Sequence, residues 1–439
     1  MLGQTLTGRL KQPRSGGSAV SPGRKPRVKW GDFASRVAAA GVLRQIDHAE
    51  RRQFQQPSPE QYMDAPPKKK NKKSVSLERC CILSSYESTC TKLRLDSNAN
   101  RHTRSSAGRI ELTMKAVLVT RSGGPEVLEV RDVPDPQPAP GEVIVRVEAV
   151  GINFADTMTT RGSYGGMPPP PFISGREFAG VVEGTGERVM GYMQWGAAAQ
   201  KVAMNLDLLW PQPKGWTSAQ SAAFPVNFLT AYLAYWKAGL TSDAMEPNRW
   251  ADGHQRRVLI HAAAGGVGTA AVEIGKLLGI ETYGTSSSDE KLERVKKLGL
   301  DHGINYREVD YEQRVKELAN GEGMDAVFEM LGGEHATKSL RCCRSFGRVI
   351  IYGTATGQPH QLDAGVMMAR SLSAHGLWLS VLAKDRELID RSLQAMQPWI
   401  GQGKLHPEIG HTLPMDQAGE AHRLLLQRAN YGKIVLLIA

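Results

Sequence analysis

The sequence predicts an α/β protein in which a doubly wound parallel sheet stands beside a second, β-rich part. Three observations carry this prediction. Short runs rich in Val and Ile, separated by turn clusters, fill residues 114–204. Strand and helix patterns then alternate from Arg256 to Tyr352, at the spacing of right-handed βαβ units. A glycine-rich turn at residues 261–268 follows the first strand of that alternation.

The strands of the β-rich part are runs of Val, Ile and other apolar residues bounded by clusters of Gly, Pro, Asp and Ser. Six such runs are predicted to be strands: Lys115–Thr120, Leu128–Asp132, Glu142–Gly151, Phe178–Val182, Arg188–Gly191 and Gln200–Met204. We expect them to form an antiparallel barrel or a distorted sheet. Apolar residues at helical spacing then predict two helices, Ser218–Phe224 and Phe228–Ala238.

In the alternating part, apolar runs of strand length are each followed by a longer pattern with helical period. The predicted strands are Val258–His261, Ile280–Thr285, His302–Asn305, Ala326–Met330 and Arg348–Tyr352, and the predicted helices are Val267–Leu278, Asp289–Leu298, Tyr311–Asn320 and Glu334–Cys342. Around His375 the pattern becomes mixed, and it ends in a predicted strand, Lys433–Ile438. Alternation of this kind predicts a parallel, doubly wound sheet.

The first quarter of the chain differs from the rest in charge. The 439 residues include 55 Lys and Arg and 44 Asp and Glu, a formal net charge of +11. Residues 1–113 hold 22 basic and 9 acidic side chains, which leaves 33 and 35 for residues 114–439. We interpret residues 1–113 as a disordered basic extension, because they are too poor in apolar residues to offset the entropy of ordering. The excess charge therefore does not predict a nucleic-acid partner for residues 114–439.

The extension has three further interpretations. The Lys-rich block at residues 66–73 is typical of a nuclear address or a nucleic-acid-binding tail. Residues 1–31 contain seven basic and no acidic side chains, as organellar transit peptides do, although several Gly and Pro residues would interrupt the required helix. The segment is also compatible with translation from a misplaced start, with Met114 as the true first residue.

Composition excludes some classes of protein. The chain has no run of about 18 apolar residues, so no membrane-spanning helix is expected. Its five cysteines include two adjacent pairs and have neither the number of a disulfide framework nor the spacing of a zinc finger. A reducing compartment, and hence a cytoplasmic location, is the expectation.

The glycine-rich turn follows the pattern G-x-G-x-x-G, with Ala263 in the first position, Gly265 in the second and Gly268 in the third. The second position lets the backbone approach a pyrophosphate, and the third allows the helix to pack closely on the strand. Backbone N–H groups at the start of the helix, at Gly266 and Val267, would then hold the phosphates. The turn predicts a dinucleotide site.

The end of the second strand indicates which dinucleotide binds. An NAD site would place Asp or Glu there for the ribose 2′-hydroxyl. This chain has hydroxyl residues beginning at Thr285, which include Ser286, and then Lys291 in the next helix. Hydroxyls and a lysine suit a 2′-phosphate, and Tyr306 after the third strand could cover the adenosine. We predict NADPH; an ordinary helix cap is the other interpretation of the serine run.

Six segments carry a family resemblance: residues 123–128, 151–156, 175–180, 262–268, 304–307 and 432–436. With them, residues 114–439 resemble the zinc-independent quinone oxidoreductases of the medium-chain dehydrogenase/reductase superfamily, the group that includes ζ-crystallin. The resemblance implies a GroES-like catalytic domain built from residues 114–229 and 374–439, and a Rossmann NADPH-binding domain at residues 230–373. The active site would lie between them, and a homodimer is implied.

The resemblance also implies site residues. Asn153 and Tyr164 would be catalytic and line the substrate end, with Asn153 also touching the cofactor. The remaining cofactor contacts would come from Thr230, Tyr352, Gly353, Thr354 and Lys433. Each has a structural alternative: a loop amide for Asn153, an exposed loop aromatic for Tyr164, a helix back-bond for Thr230 and a solvated charge for Lys433. Asp156 is either a helix-start residue or a catalytic one, and Trp195 and Trp378 are either pocket or core residues.

Zinc is not expected. Zinc-dependent relatives have Cys where Asn153 stands and His where Arg176 stands, and this chain has no cysteine between Cys90 and Cys342. The resemblance therefore implies hydride transfer from NADPH to a quinone or an α,β-unsaturated carbonyl, a small-molecule substrate, through positioning and hydrogen bonding. The alternative is a nucleotide-binding structural or RNA-binding protein with little catalysis.

Overall fold

The structure is a computed structural model that describes residues 112–244 and 253–438. The predicted extension, and every interpretation of it, lies outside the described residues apart from its last two positions. Within the described ranges, no helix has the length and apolar character needed to cross a membrane.

The β-rich part holds two sheets. Its strands are β1 Thr113–Val119, β2 Leu128–Pro134, β3 Glu142–Ile152, β4 Phe172–Ile173, β5 Glu177–Val182, β6 Arg188–Tyr192, β7 Lys201–Asn205 and β8 Leu209–Pro211, completed near the end of the chain by β15 Ile409–Pro414 and β16 Lys433–Leu437. One sheet has the order β15-β16-β3-β5-β6-β8 with β7 also paired to β3, and the other has the order β2-β1-β4. Side chains in the first part of β3 alternate in burial, with Val143, Val145 and Val147 in the core, and its last four residues are all buried.

The alternating part forms one parallel sheet of six strands. They are β9 Arg257–Ile260, β10 Glu281–Ser286, β11 His302–Asn305, β12 Met324–Glu329, β13 Cys343–Ile351 and β14 Ser373–Gly376. Their order is β11-β10-β9-β12-β13-β14, and every neighbouring pair is parallel. This is the order 3-2-1-4-5-6 of the dinucleotide-binding doubly wound sheet. The predicted α/β fold class is confirmed.

Eleven α-helices lie within the described residues. They are α1 Phe154–Thr160, α2 Ser218–Ala222, α3 Pro225–Lys237, α4 Gly266–Leu277, α5 Asp289–Leu298, α6 Tyr311–Leu318, α7 His335–Cys342, α8 Ala364–Arg370, α9 Leu379–Leu382, α10 Arg386–Gly401 and α11 Ala418–Leu426, with short 3-10 turns at Pro125–Val127, Leu206–Leu208 and Met415–Gln417. Helices α4, α5, α6 and α7 connect successive parallel strands, as predicted.

The sequence patterns missed several short or half-exposed elements, and also every element between β14 and β16, including the 16-residue helix α10. Strands β4 and β8 have two and three residues, too few to show an alternation. Strand β14 is a sheet edge whose residues are half-buried or exposed, so it lacks an apolar run. Helix α1 is a seven-residue run with three Thr that begins after Asn153.

The predicted domain boundaries fall inside two elements. The boundary between residues 229 and 230 lies within α3, and the boundary between residues 373 and 374 lies within β14, which pairs with β13. These boundaries stay predictions. We propose that the domain boundaries lie at the ends of α3 and β14.

The last strand of the chain reaches the glycine-rich turn. The backbone N–H of Gly432 donates to the carbonyl of Ala264 over 2.8 Å, and Gly265 and Gly432 form a parallel bridge. Because β16 also pairs with β3, this part of the chain joins the β-rich sheet to the glycine-rich turn.

Candidate active site

A cavity of about 620 Å³ lies at the carboxyl ends of the parallel strands and continues to the β-rich part. The order of the parallel sheet reverses between β9 and β12, and doubly wound folds bind their ligands at such a switch point. Fourteen of the predicted site residues line this cavity: Asn153, Tyr164, Thr230, Gly265, Gly266, Val267, Gly268, Ser286, Lys291, Tyr306, Tyr352, Gly353, Thr354 and Lys433. Their individual roles stay predictions.

The remaining predicted site residue, Ala263, is fully buried and lies behind the cavity, whereas Ala262 and Ala264 line it. The N–H of Ala263 donates to the carbonyl of Thr285 over 2.9 Å, which ties the turn to the end of β10. Ala263 therefore contributes packing and a backbone anchor.

The glycine-rich turn is tight. Ala262 has φ of 51°, in the left-handed region that alanine rarely adopts, and its carbonyl accepts a 2.8 Å hydrogen bond from the N–H of Gly265. A Cβ atom on Gly268 would stand 2.3 Å from that same carbonyl oxygen. A side chain there would push α4 off β9, so the turn needs glycine at this position.

A network of buried polar side chains lies behind the glycine-rich turn. The ring of His261 contacts Thr285 Oγ1 through Nδ1 and Ser339 Oγ through Nε2, each over 3.1 Å. The hydroxyl of Ser339 donates to Glu329, whose other carboxylate oxygen accepts from the N–H of Gly332 over 3.0 Å. Burial lowers the pKa of His261, so its ring is neutral. The network fixes two loops of the cavity relative to each other.

At one end of the cavity, basic and hydroxyl groups cluster after β10 and β11. Ser288 is the cap of α5, because its Oγ accepts from the N–H of Lys291 over 3.4 Å. Ser286 is therefore not the cap, and it lines the cavity. Lys291 Nζ donates to the carbonyl of Arg428 over 2.6 Å, and Arg428 donates to the hydroxyl of Tyr306 over 3.3 Å.

The electrostatics of this basic end favour an anion. Burial lowers the pKa of Lys291, and the positive charge of Arg307 lowers it further. A negative ligand beside Lys291 would offset both effects, because an opposite charge favours the charged ammonium. Arg428 adds a second cation to the same lining. The arrangement suits a phosphate group.

At the other end of the cavity, Lys433 lies in a buried polar cluster. Its Nζ donates to Asn153 Oδ1 over 2.6 Å, to Asn227 Oδ1 over 3.3 Å and to Glu177 Oε1. Glu177 also accepts from Asn153 Nδ2 over 2.8 Å and from the N–H of Val226 over 2.7 Å. The amide of Asn153 is thereby fixed between a cation and an anion.

A second buried ion pair stands beside this cluster. Arg176 Nε lies 3.2 Å from Asp156 Oδ1, and both side chains are almost completely buried. Asp156 is in the first turn of α1, and its Oδ2 accepts from the N–H of Asn153 over 2.8 Å. Burial raises the pKa of Asp156, against the lowering effect of Arg176. Asp156 therefore starts the helix and also neutralises Arg176.

Aromatic side chains form the wall next to Arg176. The guanidinium of Arg176 lies 4.1 Å from the centroid of the Tyr164 ring. Trp378 Nε1 donates to the hydroxyl of Tyr164 over 2.5 Å, and the hydroxyls of Tyr192 and Ser380 are 2.7 Å apart. Tyr164 and Trp378 both line the cavity. Trp195, the other tryptophan considered from the sequence, is not among the lining residues.

Sequence reasoning assigned no role to Asn227 or Arg428, which line the cavity, or to Glu177, which lies behind it. One signal existed for Glu177, since two charged residues precede the apolar strand Phe178–Val182 without any turn between them. Burial of a charge at that place requires a partner. The pattern gives no such signal for Arg428, which stands 122 residues from Tyr306.

A parallel sheet of this order, a glycine-rich turn and a cleft beside a GroES-like β-rich part define a medium-chain dehydrogenase/reductase. Two family models match the chain. Residues 139–206 match the alcohol dehydrogenase GroES-like domain, and residues 266–394 match the zinc-binding dehydrogenase family.

Full-length relatives give the group within that superfamily. The chain is 30% identical to the quinone oxidoreductase of Sus scrofa over 337 residues, which cover 74% of this chain and 98% of the relative. It is 32% identical over 355 residues to the synaptic vesicle membrane protein VAT-1 homolog of Danio rerio, covering 74% and 70%. The chain belongs to the medium-chain dehydrogenase/reductase oxidoreductases, in the group of the quinone oxidoreductases, which confirms the family predicted from the motifs.

Solved structures agree. The quinone oxidoreductase of Thermus thermophilus, whose structures include a complex with NADPH, is 36% identical with a TM-score of 0.64, and the alignment covers 74% of this chain and all of that one. The Escherichia coli quinone oxidoreductase complexed with NADPH is 28% identical with a TM-score of 0.63, covering 74% and 99%. Both structural similarities extend over 74% of this chain.

Proposed function

We propose that this protein is an NADPH-dependent oxidoreductase that transfers a hydride to a quinone or an α,β-unsaturated carbonyl compound. The observation that carries the proposal is a single cavity with a basic, phosphate-suited end at Lys291 and a hydrogen-bonding end at Asn153 and Tyr164. NADPH supplies the hydride when it is bound. Both named quinone oxidoreductases of known structure bind NADPH, which supports the cofactor assignment.

The residues present fit NADPH along the whole cavity. The missing side chain of Gly265 and the N–H groups at the start of α4 leave room and donors for a pyrophosphate. Ser286, Lys291, Tyr306 and Arg428 would hold the 2′-phosphate; the proposal includes Arg428 because its guanidinium stands beside the Tyr306 hydroxyl. No Asp or Glu stands at the end of β10 to favour NADH.

The nicotinamide would lie between Thr230 on α3 and the segment Tyr352-Gly353-Thr354 after β13, all of which line the cavity. Beside it, Asn153 and Tyr164 offer an amide and a hydroxyl to the acceptor. Lys433, whose charge is paired with Glu177, would act on the cofactor through Asn153 and Asn227.

The donor set at the inner end does not fit zinc. The positions where zinc-dependent relatives place Cys and His hold the amide of Asn153 and the guanidinium of Arg176, and Lys433 adds an ammonium. Thiolate, imidazole and carboxylate bind zinc, whereas a buried guanidinium repels it. Among the described residues, no group of three His, Cys, Asp or Glu side chains could hold a metal. The proposed reaction is therefore zinc-independent.

The remaining parts of the proposal concern partners and location. The substrate is a small molecule, and residues 114–439, with 33 basic and 35 acidic side chains, carry no excess charge for nucleic acid. This balance disfavours the alternative of an RNA-binding protein with little catalysis. A homodimer and a cytoplasmic location stay predictions.

Steady-state oxidation of NADPH and NADH by the full chain tests the proposal. Quinones and enones are offered as acceptors, with an EDTA-treated sample run in parallel. We expect turnover with NADPH that EDTA does not change. Absence of turnover with every acceptor would overturn the enzyme assignment. A preference for NADH would overturn the cofactor assignment, and loss of activity with EDTA would overturn the zinc-independent reaction.

A further inference from the structure

Trp378 reaches across the mouth of the cavity to Tyr164. Trp378 comes directly before α9, on the side of the parallel sheet, and Tyr164 lies in the loop between α1 and β4 of the β-rich part. The indole Nε1 donates to the tyrosine hydroxyl over 2.5 Å, and the two rings meet edge to face with centroids 5.6 Å apart. The contact therefore joins the two walls of the site.

This hydrogen bond fixes the role of the hydroxyl. An indole N–H can only donate, so the oxygen of Tyr164 must be the acceptor. The hydroxyl retains its own hydrogen, and among the described residues no side chain or carbonyl accepts it. Since Tyr164 lines the cavity, that hydrogen is available to an acceptor atom of a ligand.

The ring of Tyr164 is held on its other face as well. The guanidinium of Arg176 lies against it, and Arg176 is itself fixed by its ion pair with Asp156. A second hydroxyl contact, between Tyr192 and Ser380, holds the segment that carries Trp378 to the β-rich part. The hydroxyl of Tyr164 is thus preorganised by groups that do not themselves need to touch the ligand.

We propose that Trp378 is a positioning residue that sets Tyr164 as a hydrogen-bond donor, so that the site selects acceptors with a carbonyl oxygen. The inference rests on the proposed function and adds the residue that positions its hydrogen-bond donor. Hydride addition to a carbon of the acceptor moves an electron pair onto the carbonyl oxygen. The donated hydrogen bond of Tyr164 stabilises that negative charge, and one proton from water completes the reduced product.

Four variants of the full chain test this role: Tyr164→Phe, Trp378→Phe, the double variant and, as a matched control, Trp195→Phe. Trp195 is exposed to a similar degree, 37% against 42% for Trp378, and does not line the cavity. Phenylalanine keeps an aromatic ring at position 378 but removes the N–H donor and makes the side chain smaller. Because Trp378 is half-exposed, we expect all four variants to fold, which thermal unfolding checks.

Kinetics with NADPH and a quinone give the first measurement. We expect Tyr164→Phe to lower kcat on the order of 100-fold, as loss of an oxyanion donor does. Trp378→Phe should lower kcat about 5-fold, the size of one neutral hydrogen bond, and should add no loss in the Tyr164→Phe background. A further 5-fold loss in that background would show that Trp378 acts on the ligand directly and would overturn the positioning role.

The second measurement needs no cofactor or turnover. Binding of 4-nitrophenolate is compared with that of nitrobenzene, which has the same ring but no oxyanion, by calorimetry. We expect the ratio of phenolate affinity to nitrobenzene affinity to fall about 5-fold in Trp378→Phe and to stay unchanged in Trp195→Phe. The ratio should be equally low in Tyr164→Phe and in the double variant. An unchanged preference in Trp378→Phe would overturn the inference. If the wild type turns over no acceptor but shows the phenolate pattern, the proposed function fails while the hydrogen-bond geometry holds.

Discussion

Lys433 and Glu177 form a buried ion pair between the first residue of β16 and the first residue of β5. Their side chains are 2% and 0% exposed, and 256 residues separate them in the sequence. Asn153 and Asn227 complete the hydrogen bonding of the ammonium. A buried ion pair stabilises the fold little more than an apolar pair of equal volume would. Removal of one partner, however, leaves the other charge buried without a counterion or water.

Loss of the carboxylate at position 177 should therefore destabilise the fold. We expect Glu177→Gln to lower the free energy of unfolding by about 3–5 kcal/mol, because the ammonium of Lys433 loses its counterion. Urea unfolding followed by circular dichroism measures this change. Glu183→Gln, at the exposed position directly after the same strand, is the control and should cost less than about 1 kcal/mol. Equal losses in the two variants would contradict a special role for the buried pair.

The basic end of the cavity should determine the choice of cofactor. Lys291→Gln removes one cation from the proposed 2′-phosphate site, so kcat/KM for NADPH should fall about 10-fold, the size of one charge-assisted hydrogen bond, while that for NADH stays unchanged. Lys297→Gln, on the exposed side of the same helix, should change neither value. Equal losses for NADPH and NADH would mean that Lys291 does not read the 2′-phosphate.

The glycine-rich turn should not tolerate a methyl group at position 268. In Gly268→Ala the new Cβ would stand 2.3 Å from the carbonyl oxygen of Ala262 and must displace backbone. We expect lower thermal stability together with a loss of NADPH affinity, read from the fluorescence of the bound nicotinamide. Gly401→Ala is the control, because a Cβ there meets no atom within 4 Å and alanine favours a helix. NADPH binding as tight as in the wild type would show that the turn adapts.

Glu273 on α4 should make stability depend on pH. Burial raises its pKa to about 9, and the nearby carboxylate of Glu408 contributes, while the ring of His406 stands 3.3 Å away. Between the ordinary carboxyl pKa of 4.5 and about 9, the folded protein keeps a proton that the unfolded chain releases. The free energy of unfolding therefore falls as pH rises through this window.

The variant Glu273→Gln cannot ionise and keeps the shape of the protonated group. We expect its melting temperature to match that of the wild type near pH 4.5 and to exceed it increasingly up to about pH 9. Differential scanning calorimetry over that range measures the gap. Glu293→Gln, an exposed change on α5, should show no pH-dependent gain. A constant difference across the range would rule out titration of Glu273 as its cause.

Local sequence patterns predicted the elements whose residues are contiguous in the chain. Strand β9, the glycine-rich turn and α4 are contiguous, so their apolar period and glycines are visible together. The edge strand β14 escaped prediction because a half-exposed edge lacks that period. The glycine-rich turn and the ends of the second and third strands predicted one set of cavity residues, from Gly265 to Tyr306, and the family resemblance predicted the others, such as Asn153, Thr230 and Lys433.

The polar groups behind the cavity could not be predicted, because their partners are remote. Lys433 and Asn153 stand 280 residues apart, and Trp378 and Tyr164 stand 214 apart. A single sequence does not show which residues that lie far apart along the chain meet in the fold. The solvated-charge alternative for Lys433 illustrates this limit, since only the folded arrangement reveals the carboxylate and amides around its ammonium.

The bond between Gly432 and Ala264 has a consequence for synthesis. A ribosome completes the strands of the six-stranded parallel sheet well before it reaches position 432, yet the lining of the cavity includes Arg428, Gly432 and Lys433. A nascent chain that does not yet include residues 428–433 therefore lacks one wall of the cavity. If the cavity holds the proposed dinucleotide, tight binding must wait until these residues have been made and β16 has docked.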